Sequence, residues 1–354
     1  MTGGDPLYLC AAPGIPVLGP SGASAHVRGV AEALGARIIA AREVDGRGKH
    51  GAVAVPVESV GVPGWPSWLE PWREYTEVWT ARRVARAAAR YRPSLVWERH
   101  TLFSDAGWKV HAATGAPWIL EVNAPPVQER LRYETVRRRS WAEAWERDVL
   151  TAAPRVLAVS AWLAEWLRSL GCRDVRHVPN GVVPRQGERD RTRVELGLEG
   201  KFVLGFLGSM KPWHGVERLP ALLDALPDAV ALIVGEGPVK IDHPRARCLG
   251  QVDEARTADL VAAMDVGLAP YGPDAPPWFC PLKILAYRAQ GTPVVATDIG
   301  DCRMLTGDGG TIAPVDGLLE AIRGWEGRRA EPWVRDWRQV VREGLRDAAP
   351  APPG

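Results

Sequence analysis

This 354-residue chain has little net charge, few cysteines and no long apolar run, and each shortage excludes a class of function. Lysine and arginine number 44 against 42 aspartate and glutamate, a formal charge of +2. That balance argues against a general nucleic-acid-binding role, so any positive site must be local. The five cysteines (Cys10, Cys172, Cys248, Cys280, Cys302) are scattered without metal-ligand spacing, which predicts reduced thiols and a cytoplasmic setting. No apolar run approaches the roughly 20 residues needed to span a bilayer. The start, Met1 to Asp5, lacks the basic and apolar regions of a signal peptide. Repeats and low-complexity linkers are also missing. No Asp-x-Asp stands between a strand and a loop where it could hold a metal. The first glycine loop lacks a Gly-x-Gly-x-x-Gly followed by an acidic residue, which argues against a Rossmann dehydrogenase.

What is present is a long alternation of short apolar runs with helical patterns. Leu7–Ala12 reads as a buried first strand, followed by a Gly- and Pro-rich loop (Pro13 to Ser24, with Gly14, Gly19 and Gly22) and a helix from about Ala25 to Leu34. Further strands are predicted at 36–40, 52–57, 95–97, 118–122, 156–159 and 175–178, a βαβ pattern that implies a parallel sheet. The chain is long for one domain, and a polar stretch near 183–196 marks the expected boundary. Beyond it the alternation restarts with strands at 202–207, 231–234, 266–270 and 311–313. Helical sequence then runs from Leu318 to about Leu345, ahead of a tail, 348–354, expected to be disordered.

Sixteen tryptophans are unusual. Trp68, Trp72, Tyr75 and Trp79 fall at i, i+4, i+7 and i+11, a helical stripe. The preferred reading is a core-facing or domain-packing face. The alternatives are an aromatic wall for an acceptor, or a membrane-surface anchor with Arg82, Arg83, Arg86 and Arg90 as its basic face. Gln128 to Arg147, including Arg137–Arg139, reads as one solvated helix.

The most informative stretch is Trp278-Phe279-Cys280-Pro281-Leu282-Lys283-Ile284-Leu285-Ala286-Tyr287, followed by Arg288 to Thr297. Pro281 suits a first helical position, Gly291 ends the helix, and Val294–Ala296 is a short buried strand. The helix starts in a loop after a strand, so its free N–H groups face the crevice where α/β proteins bind ligands. Lys283 adds a full positive charge to that end. A cation at this place, where dipoles favour carboxylates, implies an anion from outside, with phosphate the obvious candidate.

This run resembles the donor-site helix of family-4-type retaining glycosyltransferases with the GT-B fold, in the branch reading Ser-Pro-Leu-Lys then Glu-Tyr. It matches at Pro281, Leu282, Lys283, Tyr287, Ala289, Gly291, Pro293 and Val294–Thr297. Many members carry Glu-x7-Glu; those positions are Trp278 and Ala286 here, and the second glutamate usually holds the ribose. Val178-Pro179-Asn180-Gly181-Val182 resembles the element that ends the family's first domain. Gly208-Ser209-Met210-Lys211-Pro212-Trp213-His214-Gly215 resembles its diphosphate loop, with Ser209 and His214 at the places of the usual Arg and Lys. Gly235-Glu236-Gly237-Pro238 and Leu249–Val252 match the segments near the nucleotide.

The resemblance implies two Rossmann-like domains with parallel sheets facing a central cleft. They would be an acceptor-side domain over 1–183 and a nucleotide-sugar domain over 197–315, with helices at 316–347 packing back on the first domain. Donor-side residues would be Gly22, Gly208, Ser209, Lys211, His214, Glu236, Gly237, Val252, Phe279, Cys280, Pro281, Leu282, Lys283 and Ala286. Polar residues at strand ends supply the acceptor side: His100, Glu121 and Asn123. Among these, His100, Lys211 and Lys283 are the catalytic candidates.

The chemistry follows from the leaving group. Transfer from a nucleotide sugar releases a diphosphate whose developing charge must be stabilised, and Lys211, His214, Lys283 and a helix N-terminus converge on that need. Lysines and dipoles can do this without a metal, so no cofactor is expected beyond the donor co-substrate. The acceptor is a hydroxyl on a glycan, lipid or natural product; nucleic acid is not expected, and peripheral membrane contact is left open. Two other readings remain: a GT-B nucleotide-sugar epimerase, and a nucleotide-sugar-binding protein with catalysis impaired at Ala286.

Overall fold

A computed structural model describes residues 4–44, 52–62 and 72–346. The chain forms two compact units, Met1–Pro179 with Trp337–Gly354, and Asn180–Asp336. In the first, seven strands form one sheet: β1 (Leu7–Cys10), β2 (Arg37–Ala40), β3 (Val57–Ser59), β4 (Val96–Arg99), β5 (Trp118–Val122), β6 (Arg155–Ala158) and β7 (Val175–His177). Their order is β3-β2-β1-β4-β5-β6-β7 and every pairing is parallel. The connecting helices are α1 (Gly22–Leu34), α2 (Arg73–Ala89), α3 (Ala106–Thr114), α4 (Pro126–Tyr133), α5 (Arg139–Ala152) and α6 (Ala161–Ser169). Strands buried on both faces need continuous apolar runs, which is why Leu7–Cys10 has no polar alternation.

In the second unit the helices are α7 (Arg189–Glu195), α8 (Leu219–Ala225), α9 (Glu254–Ala263), α10 (Leu282–Ala289), α11 (Cys302–Thr306) and α12 (Leu318–Arg323). The strands are β8 (Phe202–Leu207), β9 (Ala229–Val234), β10 (Ala246–Cys248), β11 (Val266–Ala269), β12 (Val294–Ala296) and β13 (Gly310–Ile312). They order as β10-β9-β8-β11-β12-β13, again all parallel. Both sheets thus share the doubly wound, Rossmann-like order. Each reverses direction between its first and fourth strands, the point where such sheets bind ligands.

Several expectations are corrected. The boundary expected near 183–196 falls earlier, between Pro179 and Asn180, and the polar stretch belongs to the second unit. Arg189 and Arg193 of α7 both pair with Asp265 (2.5 and 3.1 Å), which fastens α7 to the second unit. The first unit regains the chain only at Trp337. Helix α12 stays in the second unit, where Leu318, Ile322 and Trp325 join its core. Only α13 (Trp337–Leu345) packs on α1, with the Trp337 indole filling the space a Cβ on Gly29 would occupy. The predicted solvated helix over 128–147 is two helices, α4 and α5, and α5 buries Ala142, Glu146, Val149 and Leu150. The strand predicted at 52–57 forms at Val57–Ser59 instead. Helix α1 starts earlier than expected, at Gly22, capped by Ser21 accepting from the Ser24 amide.

The aromatic stripe of α2 does not face the core. Trp72, Tyr75 and Trp79 are exposed, while Val78, Ala81, Val84, Ala85 and Ala88 on the opposite side are buried. Trp68 and the 348–354 tail lie outside the described residues. No helix among the described residues is long and apolar enough to cross a membrane.

Candidate functional site

The second unit gathers its candidate residues at the reversal point of its sheet. Strand β8 ends in Gly208, whose φ of +131° suits glycine and whose missing side chain leaves room for Lys283. A Cβ there would lie 3.6 Å from Lys283 Nζ. The loop after β8 is packed backbone to backbone against the loop after β9. The Met210 amide donates to the Glu236 carbonyl (3.1 Å), and a Cβ on Gly237 would meet the Met210 backbone at 2.5 Å. The Gly235 amide donates to the Gly250 carbonyl (2.8 Å), bringing the segment that leads to half-buried Val252 alongside. Gly215 presses on the carbonyl of Pro270 after β11. Gly208, Ser209, Lys211, His214, Glu236 and Gly237 therefore share one neighbourhood with Lys283.

Lys283 is the centre of this arrangement. Its side chain is buried (7% exposed), and among the described residues Nζ has no hydrogen-bond partner. It sits 4.0 Å from the centroid of the Phe206 ring and 5.1 Å from that of Tyr271. Two ring faces recover part of a cation's lost hydration, but not the hydrogen bonds. Burial pulls the amine down to about 7. An unpaired buried ammonium is costly unless something outside the chain completes it.

His214 is not the cation the sequence suggests. Burial, with Lys283 and Lys211 nearby, pulls the imidazole down to about 3, so it is neutral at pH 7. Its Nδ1 contacts the Ser209 carbonyl; a neutral ring donates there and leaves Nε2 as an acceptor. Lys211 is exposed, with its ammonium 4.9 Å from the Trp213 ring centroid. Both lysines lie near enough to His214 to disfavour its charge.

Helix α10 carries Lys283 and is clamped from two sides. Pro281 caps the helix rather than occupying its first turn, and the Ile284 amide donates to its carbonyl (3.1 Å). Asn180 donates from its side chain to the Cys280 carbonyl (2.8 Å) and from its amide to Cys280 Sγ (3.2 Å). The Phe279 carbonyl accepts from the Asp301 amide (3.0 Å). One turn after Lys283, the Tyr287 hydroxyl accepts from the Leu207 amide (2.8 Å) and donates to the Leu268 carbonyl (3.3 Å). Gly267 has no side chain because the Tyr287 ring fills that space. Tyr287 thereby fixes α10 against the ends of β8 and β11. Trp278 is buried, and Leu282 and Ala286 are partly exposed on a helix with no carboxylate. Phe206 and Tyr271 were not foreseen as site residues. Tyr271 follows the carboxyl end of a strand, the same rule that selected His100.

In the first unit the strand-end residues are also brought together. Glu121 accepts from Trp97 Nε1 (2.9 Å), Asn123 Nδ2 (2.8 Å) and the Tyr8 hydroxyl (3.3 Å). It also pairs with His26 Nε2 (2.7 Å) and Arg99 (3.6 Å). Burial opposes its charge, but His26, Arg99 and Asn123 hold the carboxyl down at about 2. So many partners make Glu121 an organiser of the strand ends rather than a free acid. His100 is different: it is buried, neither ring nitrogen has a hydrogen-bond partner among the described residues, and burial pulls it down to about 4. Gly22 is the exposed first residue of α1, and Arg28 anchors the loop before it by donating to the carbonyls of Val17 (2.9 Å) and Gly19 (2.8 Å).

The model for Glycosyltransferase Family 4 matches residues 20–186, and that for Glycosyl transferases group 1 matches residues 201–325. A GDP-mannose-dependent alpha-mannosyltransferase from Mycolicibacterium smegmatis is 33% identical over 199 residues, covering 53% of this chain and 49% of that protein. The chain thus spans about half the length of that curated relative. Sucrose-phosphate synthase from Thermosynechococcus elongatus superposes with a TM-score of 0.71 at 19% identity, over 97% of this chain and 94% of that one. HepE from Anabaena, solved in complex with UDP-glucose, gives 0.64 at 17% identity over 97% and 95%. With two family models tiling both units and the matching sheet order, the chain belongs to the family-4-type glycosyltransferases of the GT-B fold.

Proposed function

We propose that this protein transfers a sugar from a nucleotide-sugar donor to a hydroxyl acceptor, with retention and without a metal. The observation that carries this reading is the buried, unpartnered ammonium of Lys283 beside Gly208. A donor diphosphate supplies the missing partner. Its oxygens would meet Lys283 and the free N–H groups at the start of α10, with Lys211 at the rim. His214, neutral when the site is empty, would become protonated as the diphosphate approaches.

The step breaks the bond between sugar C1 and the diphosphate oxygen and forms a bond from C1 to the acceptor oxygen on the same face. The acceptor proton passes to the departing phosphate oxygen. Products are a glycoside and a nucleoside diphosphate. Negative charge grows on the leaving oxygen, so groups placed there stabilise the transition state more than the ground state. In the first unit, His100 would accept or donate to a hydroxyl as a neutral ring.

The mannosyltransferase relative is named for GDP-mannose and the Anabaena neighbour was solved with UDP-glucose, so both bases belong in the test. A thermal-shift panel of UDP-, GDP- and dTDP-sugars should raise Tm for one donor class, and Lys283→Met should abolish that rise. Product anomers from the responding donor, read by proton NMR, should retain configuration. An inverted glycoside, or a rise that survives Lys283→Met, removes the proposal. Ala286 favours one second reading, a binder with slow turnover. Tight donor binding with no transfer to any hydroxyl acceptor would select it.

A further inference from the structure

Glu236 follows β9, the second strand of the second unit, and its main chain is fixed from both sides. The Met210 amide donates to its carbonyl (3.1 Å), which ties it to the loop after β8. The Gly235 amide just before it donates to the Gly250 carbonyl (2.8 Å), which ties it to Leu249–Val252. Gly237 just after it keeps the two loops close, since a Cβ there would lie 2.5 Å from the Met210 amide nitrogen. Glu236 therefore bridges the loop that resembles a diphosphate loop and the segment that resembles the family's nucleotide side. A nucleoside that leaves that loop and runs towards Leu249–Val252 carries its ribose past this residue.

The side chain is placed to use that position. A Cβ on Gly250, whose φ is +69°, would lie 3.2 Å from Glu236 Oε1, so the carboxylate runs alongside the Gly250 backbone. It is exposed, and among the described residues it makes no hydrogen bond or ion pair. Neighbouring acids are already engaged. Asp253 caps α9 by accepting from the Arg256 amide (2.7 Å), and Asp298 pairs with Arg303 (2.6 Å). Helix α10 carries no acid anywhere between Leu282 and Ala289.

An ionised carboxylate only accepts hydrogen bonds, and a ribose hydroxyl is a donor of matching size. In doubly wound sheets that bind dinucleotides, an acidic side chain beyond the glycine loop takes a ribose hydroxyl. Left in water, the same charge would only repel an incoming diphosphate. We propose that Glu236 binds a ribose hydroxyl of the donor nucleotide, a contact that α10 does not supply at Ala286. The inference rests on the proposed sugar transfer, because it takes the donor nucleotide to lie on the second unit. The ribose edge turned to α10 keeps no carboxylate, so a glutamate at 286 would add to Glu236 rather than replace it.

The test is titration calorimetry on the full-length chain. The ligands are the nucleoside diphosphate of the responding donor class, its forms lacking one ribose hydroxyl, and inorganic pyrophosphate. Wild type should lose about 10- to 150-fold in affinity when the contacted hydroxyl is removed, the worth of one charge-assisted hydrogen bond. Glu236→Ala should bind the complete and the deoxy nucleotide alike. It should bind pyrophosphate at least as tightly as wild type, because a negative charge has gone. Glu236→Gln, a neutral acceptor of the same shape, should fall between the two. The position is exposed, and unchanged circular dichroism will confirm folding. A wild type indifferent to every ribose hydroxyl, or a deoxy penalty that survives Glu236→Ala, overturns the proposal and leaves sugar transfer standing. So does a Glu236→Ala protein that loses pyrophosphate as much as nucleotide, the mark of a loosened loop. A wild type that binds no nucleotide overturns both readings.

Discussion

Replacing Lys283 by methionine should make the empty protein more stable and the donor complex weaker. The amine titrates near 7 in the fold against 10.5 in the unfolded chain. Between those values the unfolded state binds more protons, so the cost of burying the lysine is full below pH 7 and fades as pH rises towards 10.5. At ~1.36 kcal/mol per unit, that cost is about 4 kcal/mol at pH 7 and about 2 at pH 9. Methionine keeps the length and the ring contacts without the charge, so the variant should gain several degrees in Tm at pH 7, and less at pH 9.

The donor should reverse the ranking. A charge-assisted hydrogen bond is worth ~1.5–3 kcal/mol, so the variant should bind about 10- to 150-fold more weakly. Wild-type binding at pH 8 should also take up about one to two protons, because a bound diphosphate restores the Lys283 ammonium and favours protonation of His214. Calorimetry in buffers of different ionisation enthalpy reads this directly. A variant that is less stable than wild type and has unchanged affinity would refute the reasoning.

Three further outcomes are expected. Ala286→Glu should tighten nucleotide-sugar binding by ~1.5–3 kcal/mol, and titration calorimetry showing equal affinity would discard the idea that a ribose contact is missing. Tyr287→Phe strands the part-buried Leu207 amide and should lower stability by about 1–3 kcal/mol in denaturant titrations; if Tyr287 also positions Lys283, KM for the donor should rise. Glu121 titrates near 2 instead of 4.5, so it stabilises the fold above pH 4.5 and loses that contribution as pH falls towards 2. Glu121→Gln should therefore be destabilised at pH 7 by about 3 kcal/mol, with the gap closing in acid; a constant gap from pH 7 to pH 3 would count against the ion-pair account.

The sequence alone determined the two βα alternations, because continuous apolar runs such as Leu7–Cys10 and Ala229–Val234 suit only strands buried on both faces. It also marked Pro281–Lys283 as the candidate anion site, since a Pro-Leu-Lys helix start following a strand carries its chemistry within a few residues. Tertiary structure decided the rest, where the deciding partner is distant in the chain. Whether α2 turned its tryptophans inward could not be read from spacing, because Val78, Val84 and the alanines opposite form an equally good buried face. The end of the first unit depended on Asp265 meeting Arg189 and Arg193 across some seventy residues. Lys283 read as the cation of an anion-binding helix end, but its burial under Phe206 and Tyr271 could not be read, nor that His214's own burial, with Lys283 nearby, leaves the imidazole neutral. Charge is written in the sequence, but its cost is set by what packs around it.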